Sequence, residues 1–278
     1  MMHGYSGSNP RVRRLRRLAR DRGERHERRS FVVEGPGLVA EVLDAGRDVN
    51  MVLVPESSLG DLDVGPRLDA LLARAEATGA DVGTVPDSVF DGLTSTTSPQ
   101  PALAEVGFVD VDPDVLFAGV ETGHPLLVLV GLADPGNVGT LLRSAEAFGA
   151  AGVLLVGGVD PYNPKVVRAA AGSAFRIPFA MVGEDEAVEI VERLAEADIA
   201  AWATVPTGGA PMVDVANAEG FSALVLGNEP NGLTDDVLAA CAGSVTVETT
   251  GNVDSLNVAV AGSVALYEAC RTRGASDA

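Results

Sequence analysis

Three stretches in the second half of the chain carry side chains whose types and spacing could do chemistry. DPGNVGTLLRSAEAFG (134–149) follows the apolar run PLLVLVGLA and holds Asn137 and Arg143 six residues apart. LVLGNEPNGL (224–233) brackets Glu229 between Gly227 and Gly232, and ETTGNVDSLNVAVAG (248–262) sets Ser255 and Asn257 at the start of a helical pattern. A carboxylate at the end of a strand can orient a hydroxyl or an amine, and a guanidinium can grip a phosphate through paired hydrogen bonds. Each residue also has a purely structural reading. Asn137 and Ser255 are natural helix N-caps, Arg143 is a surface arginine, and Glu229 is a solvent-facing turn residue. Asn257, inside a first helical turn, is harder to explain as structure alone.

The elements around these stretches follow from hydrophobic periodicity. Near-continuous apolar strands are predicted at 126–132, 152–158, 199–205, 223–229 and 244–248. Helical patterns fall at 138–148, 164–173, 184–197, 234–242 and 255–271. Apolar strands alternating with helices describe a parallel sheet covered on both faces. Ligands of such sheets bind beyond the carboxyl ends of the strands, which selects the loops after 132, 226 and 248. Two familiar nucleotide loops are excluded. Gly131, Gly136 and Gly139 do not fit G-x-G-x-x-G, and the first loop has no lysine for a P-loop.

The first half reads as a disordered tail (1–8), an α/β unit (9–110) and a linker (111–123). The unit opens on a helix from Asn9 with Val12, Leu15, Leu18 and Ala19 on one face and arginines on the others. Residues 1–29 hold ten arginines against Asp21, Glu24 and Glu27, a local balance of +7. The whole chain of 278 residues carries −19, so the remainder carries −26. An acidic body argues against broad nucleic-acid affinity, whereas one basic segment argues for a local phosphate contact. A solvated helix docked on a core is the competing reading of that segment. No apolar run is long enough for a membrane helix, the start lacks the apolar core of a signal peptide, and a cytoplasmic location is expected. The scattered histidines suggest no metal site. Cys241 and Cys270 read as buried thiols rather than a disulfide framework.

Together, N-x-G-x-x-x-R-x-A-x-x-F-G from Asn137, L-x-L-G-x-E-x-x-G-L from Leu224 and S-L-N-V-x-V-A from Ser255 resemble the three motifs of the SpoU family of RNA ribose 2′-O-methyltransferases, in the SPOUT superfamily. NPKVVRAAAGSAFRIP (163–178) is similar to the family's segment between the first two motifs. FVVEGPGLVAEVL (31–43) resembles the signature of the L30e-like substrate-binding domain that commonly precedes it. The resemblance implies an α/β catalytic domain over 124–278 with a C-terminal trefoil knot, S-adenosylmethionine as cofactor, a homodimer, and an active site assembled across it. It casts Asn137, Arg143, Glu229, Ser255 and Asn257 as catalytic and Gly227, Val247, Leu256 and Thr204 as cofactor contacts. The RNA-binding candidates are Arg13, Arg14 and Arg17 on the basic helix and Lys165 and Arg168 in the linking segment.

A ribose 2′-hydroxyl is a poor nucleophile until its proton is polarised. A guanidinium holds its own protons too tightly to take another, so clamping the neighbouring phosphate fits Arg143 better than acting as a base. Ribosomal RNA is favoured over transfer RNA as substrate, with guanosine as one candidate nucleotide. A non-catalytic RNA-binding relative is the alternative class, and retention of all five motif residues speaks against it.

Overall fold

The computed structural model describes residues 2–94, 96, 98–121, 124–216, 220–250 and 255–271. In chain order the elements are β1 (His3–Gly4), α1 (Pro10–Leu18), α2 (Arg22–Arg28), β2 (Ser30–Glu34), α3 (Pro36–Asp44), β3 (Val49–Pro55), α4 (Glu56–Leu59), α5 (Gly65–Ala77), β4 (Asp81–Val85), α6 (Asp87–Asp91) and β5 (Leu103–Gly107). There follow α7 (Pro113–Ala118), β6 (Leu126–Val130), α8 (Pro135–Phe148), β7 (Gly152–Val156), α9 (Pro164–Ala170), β8 (Phe179–Val182) and α10 (Ala187–Glu196). The chain continues through β9 (Ile199–Thr204), β10 (Ala210–Pro211), α11 (Met212–Ala216), β11 (Phe221–Leu226), α12 (Asp235–Ala240), β12 (Gly243–Thr246) and α13 (Val258–Arg271). The chain divides into two compact units, residues 1–109 with 160–175, and residues 110–159 with 176–278.

The first unit is built on a mixed sheet of order β1-β4-β3-β5-β2, with β5 antiparallel to both of its neighbours. Helix α1 buries Val12, Leu15 and Leu18 completely against Val32, Met51, Leu53 and Leu103. Alternation along β2 turns Phe31 to the opposite face, where it meets Tyr162 at 4.7 Å between ring centroids. Phe108 stacks on the same Tyr162 ring at 3.7 Å, and the Tyr162 hydroxyl accepts from the Val109 amide at 2.8 Å. Arg25 is 3% exposed. Its Nε and Nη2 donate to Asp160 Oδ2 at 2.8 and 2.6 Å, and its Nη1 donates to the Leu18 carbonyl at 2.9 Å. Residues 160–175, expected with the catalytic span, therefore pack with the first unit.

Two expectations for this half need correction. The tail expected to be disordered contributes β1, which pairs in parallel with Gly83 and Thr84 of β4. Gly83 makes this possible: a Cβ there would lie 2.4 Å from the His3 carbonyl oxygen and 2.5 Å from the Tyr5 ring. The Tyr5 hydroxyl then donates to Asp81 at 2.7 Å. The span expected as a linker forms α7, whose Leu116 and Phe117 are buried in the core of the second unit.

The second unit is an all-parallel sheet of order β10-β12-β9-β11-β6-β7-β8. Its strands are apolar on both faces, as a doubly covered sheet requires. Leu126, Val128, Leu154, Val156, Ala201 and Val225 share one core cluster with Ile190, Val191 and Leu194 of α10. On the opposite face α8 and α13 run against each other, joined where Ser144 Oγ meets Ser263 Oγ at 2.6 Å. Helix α13 buries Ala259, Gly262, Ala265, Leu266 and Ala269 and exposes Val260, Val264 and Tyr267. Residues 251–254, between β12 and α13, lie outside the described residues.

Candidate active site

Helix α8 starts three residues earlier than its apolar pattern suggests. Asp134, not Asn137, is the N-cap, accepting from the Asn137 amide at 2.8 Å, with Pro135 as first helical residue. A proline there has no amide to leave unpaired. Asn137 is thereby released from capping and its side chain points outward. At α13 the roles also shift. Asn257 is the cap, its Oδ1 accepting from the Ala259 and Val260 amides at 2.9 and 3.2 Å, whereas Ser255 is exposed ahead of it.

These two caps fix a directed chain of hydrogen bonds. With its oxygen committed to the helix, Asn257 has only Nδ2 to offer, and it donates to Asn137 Oδ1 at 3.1 Å. Asn137 in turn must use Nδ2, which donates to Glu229 Oε1 at 2.5 Å. An amide has one acceptor end and one donor end, so the helix terminus dictates which way each asparagine faces. The chain ends on a carboxylate, an acceptor whose second oxygen meets no partner among the described residues and could take a ligand hydroxyl. Glu229 stands three residues beyond β11, and Asn137 stands in the first turn of α8, the helix that follows the adjacent parallel strand β6. Gly227, which links β11 to this loop, admits no side chain: a Cβ would lie 2.3 Å from the Gly232 carbonyl carbon and 2.5 Å from the Leu233 nitrogen.

Arg143 is exposed on α8 and meets no partner among the described residues. It stands about 9 Å along the axis from Asn137 and on another face, by helix geometry. Within one copy of the chain, the structure therefore brings together Asn137, Glu229 and Asn257 but not Arg143. Of the expected cofactor contacts, Thr204 closes β9 with its Oγ1 buried and unpartnered among the described residues. Val247 and Leu256 are half-buried on either side of residues 251–254. A buried hydroxyl without a partner at the carboxyl end of a parallel strand suits a polar ligand. The described residues contain no cluster of side chains able to hold a metal.

In the first unit the RNA-binding candidates separate by partner. Arg14 donates to the buried Glu105 at 2.6 Å, and Arg168 lies 3.7 Å from the buried Glu34. Arg17 shares Glu24 with Arg28 and remains half-exposed. Arg13 and Lys165 are exposed. Much of the basic charge at the start of the chain is thus neutralised within the unit, Arg11 by Asp81 and Arg25 by Asp160 included. Asp134, Arg25 and Asp160 escaped the sequence reading. The Asp-Pro pair ahead of a helical pattern was a usable signal for Asp134, but nothing local announces a pair 135 residues apart.

A parallel sheet with polar loops beyond its carboxyl edge is the frame of a SpoU-class methyltransferase. Residues 124–267 match the SpoU rRNA Methylase family and residues 9–104 an MRM3-like substrate binding domain; the chain belongs to the SpoU rRNA methylase family. It is 30% identical to the 23S rRNA (guanosine(2553)-2′-O)-methyltransferase RlmP of Bacillus subtilis, over 94% of this chain and 96% of that protein. It is 28% identical to the 23S rRNA (uridine(2479)-2′-O)-methyltransferase of Streptomyces viridochromogenes, over 95% of this chain and 91% of that one. Among solved structures, the AdoMet-bound rRNA methyltransferase from Sinorhizobium meliloti superposes with a TM-score of 0.82 at 28% identity, covering 98% of each chain.

Proposed function

We propose that this enzyme methylates a ribose 2′-hydroxyl of 23S ribosomal RNA, with S-adenosylmethionine as methyl donor, in the cytoplasm. The observation that carries the reading is the directed chain from the α13 terminus through Asn257 and Asn137 to Glu229. It leaves one carboxylate oxygen poised as an acceptor at the carboxyl edge of the sheet. When bound, S-adenosylmethionine supplies an electrophilic sulfonium methyl group. The unpartnered Thr204 hydroxyl and the loops at Gly227, Val247 and Leu256 would hold it.

Glu229 orients the ribose hydroxyl by accepting its hydrogen, and Asn137 and Asn257 hold Glu229 in place. Arg143 grips the phosphate next to the target ribose and stabilises the developing alkoxide. Ser255, exposed ahead of the cap, lies in the same loop as Leu256 and completes the substrate side. Alignment is the largest contribution such a site makes, on the order of 7–11 kcal/mol when geometry is near ideal. Arg13, Arg17 and Lys165, the less committed cations of the first unit, contact RNA phosphates.

We further propose that two copies pair through the exposed Val260, Val264 and Tyr267 stripe of α13. A stripe of apolar side chains at i, i+4 and i+7 on an otherwise docked helix is the pattern of a partner-facing surface. Phe148 of α8 packs edge-on against Tyr267, so α8, the helix that carries Arg143, borders that stripe. Arg143 then serves the site of the other subunit.

Mapping 2′-O-methyl groups in total RNA from cells with and without this gene tests the function. Loss of one 23S position, restored by the wild-type protein but not by Glu229→Ala, is the expected result. An unchanged ribosomal pattern with a lost transfer-RNA site would overturn the substrate assignment. The relatives act on a guanosine and a uridine, and the missing position also identifies the base.

A further inference from the structure

Among the described residues, two buried side-chain polar atoms of the second unit meet no partner. One is the Thr204 hydroxyl. The other is the indole Nε1 of Trp202, likewise shut from solvent and without a partner among the described residues. The two residues are two apart on β9, so their side chains leave the same face of the sheet. That face is opposite the one on which Ile199 and Ala201 join the core cluster of α10.

Strand β12 sets Gly243 across from Trp202 and Val245 across from Thr204. The absence of a side chain at 243 lets the indole lie over the strand: a Cβ there would meet the ring at 2.9 Å. Packing thus fixes the ring while its N–H goes unanswered. Leaving a buried donor unpaired is destabilising, and most such groups in folded proteins find a partner. The indole nitrogen only donates, so the missing partner is an acceptor. Strand β11 separates β9 from β6, so Trp202 lies roughly 10 Å across the sheet from the strand that leads to Asn137. The acceptor therefore belongs to a part of the ligand remote from the transferred methyl group.

We propose that Trp202 is a cofactor-positioning residue whose indole N–H donates to a non-reacting acceptor atom of S-adenosylmethionine, beside the Thr204 hydroxyl. This rests on the methyltransferase reading above. The acceptor is one that S-adenosylhomocysteine also carries, because demethylation alters only the sulfur.

Trp202 is the chain's single tryptophan, so the test is direct. In the intact protein labelled with ¹⁵N, one indole N–H resonance is expected to shift downfield on saturation with S-adenosylhomocysteine. Its dissociation constant should match that from calorimetry. Trp202→Phe keeps an aromatic ring and removes the donor; it should weaken S-adenosylhomocysteine binding about 3- to 10-fold, the worth of one hydrogen bond. Its melting temperature should not fall. Calorimetric binding with a stationary indole resonance would overturn the inference and leave the methyltransferase reading intact. The resonance needs no variant, so a Phe protein that failed to fold would not obscure the answer. No binding heat with the wild-type protein would count against the reading itself and take the inference down with it.

Discussion

Asn257 caps α13 with its oxygen, and that one commitment propagates outward. A residue that caps equally well but cannot donate isolates the effect. In Asn257→Asp the helix keeps its cap, Asn137 loses the donor to its Oδ1, and a second carboxylate arrives near Glu229. Methyl transfer is expected to fall ~10-fold or more, the cost of an unsatisfied polar group, with S-adenosylhomocysteine affinity largely kept. Unchanged turnover in a radiolabelled methyl-transfer assay would remove the chain from the mechanism. Arg143→Lys keeps the charge and loses the planar fork. A loss of roughly 100-fold or more in turnover is expected, on the scale of losing one transition-state donor; substantial activity would sink the bidentate clamp. The residue types and their order in the chain were legible in the sequence, and so was the family they belong to. The polarity of the hydrogen bonds was not, because it depends on which residue caps each helix, and the caps fell at Asp134 and Asn257.

The strands of the second unit were readable as apolar runs between helices, since burial on both faces leaves a continuous rather than an alternating signal. Strand β8 escaped because Phe179–Val182 is short and follows a proline. The basic start of the chain was legible as charge but not as structure, because the acids that neutralise it, Asp81, Glu105 and Asp160, lie far along the sequence. The most buried of these pairs, Arg25 with Asp160, makes a prediction at the level of elements. Asp160→Ala leaves the buried Arg25 uncompensated and should cost about 3–5 kcal/mol, read as a lower denaturant midpoint. The double change Arg25→Met with Asp160→Leu should recover most of it, because paired apolar replacements of a buried ion pair are often neutral or better. Failure of the double variant to recover would assign the loss to packing of the 160–175 segment instead. The same segment carries Tyr162 onto Phe31 and Phe108, so more than charge holds it.

At the scale of the whole molecule, the exposed α13 stripe and the acidic balance act on association in different ways. A chain at −19 repels its own copies at long range, so a stable pair needs short-range apolar contact. If two copies pair through the stripe, Val264→Asp at its centre should convert that proposed dimer into a monomer by light scattering. It should also abolish methyl transfer while leaving the circular dichroism unchanged. A variant that remains dimeric would move the interface elsewhere. Mixing Arg143→Ala with Asn137→Ala chains carries the idea further, because a shared site predicts partial recovery of activity in the heterodimer and a private site predicts none.

The chain leaves the parallel sheet after β7, runs through 160–175 as part of the first unit, and returns to form β8. On a ribosome this inverts the usual order of events. The first 109 residues emerge early, yet Phe31, Phe108 and Arg25 wait for Asp160 and Tyr162, which are made only after the chain has entered the second unit. A nascent chain halted near residue 120 should therefore show a protease-sensitive first unit, and one halted well beyond 175, with the segment clear of the exit tunnel, a protected one. The unit begun first is finished only when its own last segment, 160–175, has been made.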